Sequence, residues 1–213
     1  MNSLEELAIH YVTDKEKIYG IPYKGKTCGH NYIPGYVDLF DKNRHEIKTM
    51  LEIGIGLGAH FDAMLLLFPR FTIGSGLKMW RDYFPNATIY GMDILECPDI
   101  GSRIKTFVGD QSKEEDLIAI VNEIGSIDIV VDDGSHILDH QVYSFMFLAN
   151  HMKQGGIYVI EDVQPSHIED FKTLSVFSPE FRDYITENFE YKWYDTRGPD
   201  TPDDDFLMVF IKK

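Results

Sequence analysis

Apolar residues along the chain fall into short runs separated by longer mixed stretches. Thr49–Ile53, Thr88–Met92, Ile104–Val108, Ile127–Val131 and Ile157–Ile160 have the length and β-rich content of buried strands. Between them, Leu77–Phe84, Lys113–Glu123 and Asp139–Met152 read as helices. Strands alternating with helices predict an α/β, doubly wound, Rossmann-like sheet that is mostly parallel. Glu190–Tyr194 and Phe206–Ile211 read as two further strands, and the Pro199–Asp205 segment between them predicts a C-terminal antiparallel hairpin at one sheet edge. Residues 1–45 break the alternation. Their aromatics and glycines, with Tyr11, Tyr19, Tyr23, His30, Tyr32 and Tyr36, predict a helix, a loop and a second helix capping the sheet. The expected organisation is one domain over 1–213, with a cap over 1–45 and a core over 46–213.

Composition narrows the partners. The chain has 213 residues, with 20 Lys plus Arg against 35 Asp plus Glu, for a net charge of −15. Such a surface repels a nucleic-acid backbone or an anionic membrane. Its length is enough to bury a core without metal or disulfide staples. Two cysteines, Cys28 and Cys97, form no zinc-ligand spacing and read as reduced thiols. The N-terminus lacks a basic region followed by an apolar run. The longest apolar stretch, around Ala63–Phe68, is far below the roughly 20 residues of a membrane helix. The expectation is a cytoplasmic protein.

The candidate chemistry sits at strand ends. Leu51-Glu52-Ile53-Gly54-Ile55-Gly56-Leu57-Gly58 follows the first core strand, and alternate glycines allow a tight turn with close approach to a nucleotide. The spacing is G-x-G-x-G, so the dinucleotide fingerprint is not met. Glu52 would repel a pyrophosphate and attract an ammonium or hydroxyl group. That favours a cationic, phosphate-free cofactor such as S-adenosylmethionine over a nicotinamide dinucleotide. Asp93 ends the next strand, where a carboxylate accepts ribose hydroxyls. Asp110 and Gln111 end the third, within reach of an adenine edge. An extra segment at about Ala59–Gly76, containing Pro69, reads as either a lid or an oligomer contact.

The fourth strand ends in Asp132-Asp133-Gly134-Ser135-His136 and the fifth in Glu161-Asp162. In a parallel sheet both reach the carboxyl edge, where such folds place ligands. Asp133, Glu161 and Asp162 then form a hard oxygen set for Mg²⁺ or Mn²⁺. The plainer alternative is that Asp132 and Asp133 cap the next helix and that Glu161-Asp162 is polar loop. His136 is the candidate general base, with His140 one helical turn on as its rival and His167 as a weaker one.

The blocks LEIGIG, SGLKMWRDYFPNATIYGMDI, GDQS, VVDDGSH and GGIYVIEDV, in that order, resemble the metal-dependent O-methyltransferases of macrolide sugars. IHYVTDK and HNYIPGYVDLF resemble that family's N-terminal segment. The resemblance implies a class I S-adenosylmethionine-dependent methyltransferase fold and a sugar or glycan acceptor. It implies Asp133, Glu161 and Asp162 as Mg²⁺ ligands and His136 as base. It assigns the cofactor to Glu52, Gly54, Gly56, Asp93, Asp110, Gln111 and Asp132, with Ser75 and Trp80 beside them. Tyr32 and Tyr36 match tyrosines that close over the acceptor. Family relatives are often oligomers, which leaves a homo-oligomer open beside the lid reading of 59–76. The 59–76 segment and the tail after Gln164 depart from the pattern, so a macrolide acceptor does not transfer. A compact unit of this kind also resembles glycan methyltransferase modules of large algal viruses and bacterial surface polysaccharides, which act on deoxysugars such as rhamnose. A catechol-type O-methyltransferase and a non-catalytic methyltransferase-like subunit are the alternatives.

Overall fold

The computed structural model describes residues 2–23, 26–68 and 70–213, with the side chains of 18–28, 60 and 67 left aside. The Cys28 thiol, the Tyr19 and Tyr23 rings and Pro69 lie outside the described residues. In chain order the elements are α1 (Leu4–Tyr11), β1 (Ile18–Tyr23), β2 (Lys26–Cys28), α2 (Ile33–Phe40), β3 (Thr49–Ile53), α3 (Ala59–Leu67), α4 (Ser75–Tyr83), β4 (Thr88–Asp93), β5 (Ile104–Val108) and α5 (Glu114–Ile124). There follow β6 (Ile127–Asp132), α6 (Leu138–Leu148), β7 (Met152–Ile160), α7 (Ile168–Lys172), α8 (Pro179–Asn188), β8 (Phe189–Asp195) and β9 (Phe206–Lys212).

Seven strands form one sheet in the order β5-β4-β3-β6-β7-β9-β8. The first five pair in parallel, and β9 runs antiparallel between β7 and β8. The switch in strand order falls between β3 and β6, beside the glycine loop. That is the crevice where open α/β sheets bind ligands.

Side-chain alternation along each strand divides the core in two. Leu51, Val130, Tyr158 and Phe210 face one side, where Phe145 of α6 stacks on Phe210 with ring centroids 4.1 Å apart. Met50, Ile129, Val131, Val159 and Val209 face the other, where they meet Leu4, Leu7 and Ala8 of α1, Tyr36 and Phe40 of α2, and Trp80 of α4. The N-terminal segment is thereby part of a core face. Its first helix is set by a capping box in which Ser3 and Glu6 satisfy each other's backbone N–H groups.

Three local expectations change. The loop expected between the N-terminal helices contains the antiparallel β1–β2 pair. The helix expected over Asp139–Met152 stops at Leu148, and the strand expected from Ile157 already starts at Met152. Gly155 and Gly156 lie within this longer β7, with Gly155 at φ +76° and a register irregularity opposite Ile127–Ile129. The 59–76 segment folds as α3 and the start of α4. Met64, Phe68 and Phe71 form a small cluster there against Val12, while Leu66 is 86% exposed.

Candidate active site

A cavity of about 670 Å³ opens at the carboxyl edge of the sheet, a size suited to a small-molecule ligand. At one end it is lined by Glu52, Gly54, Gly56, Ser75, Asp93, Asp110 and Gln111, and at the other by Asp133, Ser135, His136, His140 and Asp162. The two groups proposed from separate strand ends therefore share one space.

The glycine loop is held by its neighbours. Gly54 sits at φ +88°, and a Cβ there would lie 1.9 Å from the Asp133 carbonyl oxygen. Only glycine allows this conformation and this approach of β3 to β6. Asp93 accepts the Ile55 N–H at 3.0 Å, so it braces the loop as well as lining the cavity. Asp110 accepts the Ser112 hydroxyl and N–H at 2.7 and 3.0 Å, and these bonds hold its carboxyl below the usual range. Glu52 is 3% exposed and accepts the Trp80 indole N–H at 3.1 Å. Burial pushes its pKa up, and nearby Lys15 opposes that rise.

Several sequence candidates do not face the cavity. Trp80 is fully buried and reaches the site only through Glu52. Asp132 is fully buried, with its carboxylate accepting from the Gln111 amide at 2.9 Å, Ser144 at 2.6 Å and Tyr158 at 3.1 Å. It is a structural node and does not line the cavity. The Gln111 side chain, at the cavity wall, donates its amide N–H to Asp132 and accepts the Ser135 N–H at 2.8 Å through its oxygen, so it also ties β5's end to the β6 loop. Tyr32 and Tyr36 are also fully buried. Tyr32 donates to Asp162, and Tyr36 donates to Glu161. They hold the acids in place and do not line the cavity. His167 lies in a short turn outside the cavity lining, whereas His140 reaches the lining, with its Nδ1 2.9 Å from the Ser135 hydroxyl.

The acid cluster differs from the expected triad. Among the described residues, Asp133, His136 and Asp162 bring one ligand atom each within 4.8 Å of one another. Glu161 is outside that group, although one Lys15 ammonium contacts both it and Asp133. It is 1% exposed, with Lys15 Nζ 2.7 Å from its Oε2 and Tyr36 on its Oε1. His136 and Asp162 both adopt left-handed backbone, at φ +56° and +53°. Such non-glycine conformations cost about 1–3 kcal/mol each and persist where surrounding structure imposes them. His136 Nε2 lies 3.7 Å from Asp162 Oδ2, and its buried Nδ1 has no hydrogen-bond partner.

Two cationic groups that the sequence reading missed come from the N-terminal segment. Lys15 is 2% exposed, with Nζ 2.7 Å from Asp133, 2.7 Å from Glu161 and 3.2 Å from Glu52. Burial alone would depress its pKa; the carboxylates of Asp133, Glu161 and Glu52 outweigh that and hold it well above the ordinary lysine range. His30 stacks on Tyr32 and lies 3.4 Å from Asp162 and 3.6 Å from Asp205. Burial opposes its charge, but Asp162 and Asp205 prevail and lift its pKa to about 10. Even so, Glu161 and Asp162 are pushed upward, first by burial and then by neighbouring carboxylates, against the pull of Lys15 and His30. Carboxylates crowded in this way, short of positive charge, fit a divalent cation with hard oxygen ligands.

No family model matches the chain. It is 37% identical over 169 residues to mycinamicin VI 2''-O-methyltransferase of Micromonospora griseorubida, covering 79% of this chain and 38% of that protein. It is 35% identical over 170 residues to 8-demethyl-8-alpha-L-rhamnosyl tetracenomycin-C 2'-O-methyltransferase of Streptomyces olivaceus, covering 79% and 40%. It is 39% identical over 143 residues to demethylmacrocin O-methyltransferase of Streptomyces fradiae, covering 67% and 34%. The chain thus spans well under half the length of these relatives. Among solved structures it resembles MycE methyltransferase from the mycinamycin biosynthetic pathway in complex with Mg and SAH. That match has a TM-score of 0.73 at 29% identity, over 99% of this chain and 55% of that one.

Proposed function

The chain is a homologue of the macrocin- and mycinamicin-type sugar O-methyltransferases, and from that premise we propose that it transfers a methyl group from S-adenosylmethionine to a hydroxyl of a sugar. The observation that carries the reading is the single cavity joining the glycine loop and Asp93 to the Asp133–His136–Asp162 cluster. Nothing in the packing of a merely structural domain requires these two groups to share an opening. Rhamnosyl tetracenomycin methyltransferases among the relatives make a deoxysugar such as rhamnose the first acceptor to try.

The donor would supply an electrophilic methyl, and Mg²⁺ or Mn²⁺ would polarise the acceptor hydroxyl and lower its pKa. Asp133 and Asp162 would hold the metal, with Glu161 as the third oxygen ligand, because Mg²⁺ prefers oxygen to imidazole nitrogen. That leaves His136 free to take the acceptor's proton at Nε2, the nitrogen on the Asp162 side. Tyr32 fixes the Asp162 carboxylate. Glu52 offers negative charge at the cofactor end and is held in place by Trp80 and Lys15. The shared sheet edge brings donor and acceptor together, which lowers the entropic part of the barrier.

The test is transfer of labelled methyl from S-adenosylmethionine to simple glycosides, rhamnosides included, with Mg²⁺ and with EDTA. The expected result is label in a glycoside that EDTA abolishes. Transfer to catechol and to no glycoside would move the acceptor to an aromatic diol. Donor binding without transfer to any diol would point to a non-catalytic subunit.

A further inference from the structure

We propose that Lys15 is a resident countercharge at the metal site, which a divalent cation displaces from Asp133 and Glu161 when it binds. The inference rests on the metal-dependent reading above. It concerns how the site stays folded without the metal and what must move to admit it.

Three observations carry it. The Lys15 ammonium lies in the mutual contact of acids from three different strand ends: Glu52 of β3, Asp133 just after β6 and Glu161 just after β7. Its two shortest contacts, both 2.7 Å, are to Asp133 and Glu161, two of the three oxygen ligands proposed for the metal. Finally, the ligand cluster already formed contains Asp133 and Asp162 but lacks Glu161, the acid that Lys15 and Tyr36 hold. One ammonium thus occupies the side of the site on which the third oxygen ligand is missing.

The chemistry favours exchange. A lysine ammonium is a compact point charge on a flexible stem, able to withdraw without breaking a bidentate fork. Without any cation, Glu52 and Glu161 would be buried charges met only by the neutral donors Trp80 and Tyr36, a costly state. A divalent cation would make the ammonium a like charge beside it, and the proximity that now favours the ammonium among the acids would become repulsive. Lys15 belongs to the N-terminal segment, so its release would also loosen one tie of that segment to the sheet edge.

The decisive experiment uses the full chain. Lysine side-chain ¹H–¹⁵N spectra should show a protected Lys15 ammonium signal in the metal-free protein, identified by its loss in Lys15→Arg. Saturating MgCl₂ should abolish or strongly shift that signal. In parallel, Lys15→Met should melt at a lower temperature than the wild type without metal, gain more from added MgCl₂, and bind Mg²⁺ about tenfold tighter or better by calorimetry, since a like charge has been removed. Mg²⁺ binding with an unchanged Lys15 signal would overturn the displacement while leaving the metal site intact. Lack of Mg²⁺ binding by the wild type would overturn the metal reading itself. Should Lys15→Met not fold, the wild-type spectrum alone still decides.

Discussion

Trp80 donates its indole N–H to Glu52 Oε1 across 3.1 Å, with both side chains buried at the base of the cofactor end. The ring also stacks on Phe84, with centroids 5.9 Å apart. Trp80→Phe should keep most of the packing and remove one donor from Glu52. The expected result is S-adenosylhomocysteine binding weaker by about 5- to 20-fold, from roughly 1–2 kcal/mol of lost hydrogen bonding. Calorimetric titration measures it; unchanged affinity would detach Trp80 from the cofactor end.

His136 stands at the acceptor end, with its Nε2 beside Asp162 and its Nδ1 unpartnered. His136→Ala should lower turnover by roughly 10²–10⁴-fold. Binding of S-adenosylhomocysteine should stay close to wild type, because the cofactor end is untouched. Full turnover in the variant would remove His136 from proton transfer and direct attention to His140.

Asp132 gathers Gln111, Ser144 and Tyr158 on one buried carboxylate. Asp132→Ala would strand all three donors in the core. A loss of roughly 3 kcal/mol in unfolding free energy is expected, read from urea denaturation. A variant as stable as the parent would show that these groups find other partners.

Asp128 tests pH dependence away from the cavity. Its carboxylate accepts the Lys48 and Thr49 N–H groups at 2.8 and 2.9 Å and pairs with Lys153 at 2.7 Å. Burial opposes its ionisation, but these donors prevail and hold its pKa below the ordinary carboxylate value. A lowered folded pKa means that the unfolded chain binds the proton more tightly. The stabilisation is therefore present above the ordinary carboxylate pKa and disappears as pH falls through the folded pKa. Asp128→Asn should cost about 1–2 kcal/mol near neutrality and progressively less below about pH 4. Melting temperatures across that range, wild type against variant, measure the difference.

The acids at the strand ends were legible because strands announce themselves by apolar runs, and the residue that ends each run is visible. Glu52, Asp93, Asp110 and Asp133 were found that way, and all four line the cavity. What that reading could not decide was direction. Asp132 and Asp133 are neighbours in sequence, yet one is buried in a polar node and the other faces the cavity. Glu161 and Asp162 divide similarly, with only Asp162 at the cavity wall. Asp133, Glu161 and Asp162 lie just past the strand ends, so their directions follow what packs on the loops, Lys15, Tyr36 and Tyr32 among them.

By itself the sequence determined the alternation of strands and helices, the glycine loop, the terminal hairpin and the acids at the carboxyl edge, since each is written in residues close together along the chain. Only the tertiary structure decided which acids face the cavity and which are held in the core. Lys15 and Asp133 are 118 residues apart and Tyr32 and Asp162 are 130 apart, and no local pattern encodes such pairings. They form because the N-terminal segment has an apolar face to bury against the sheet. Burying it carries Lys15, His30 and Tyr32 to the same edge where the acids emerge.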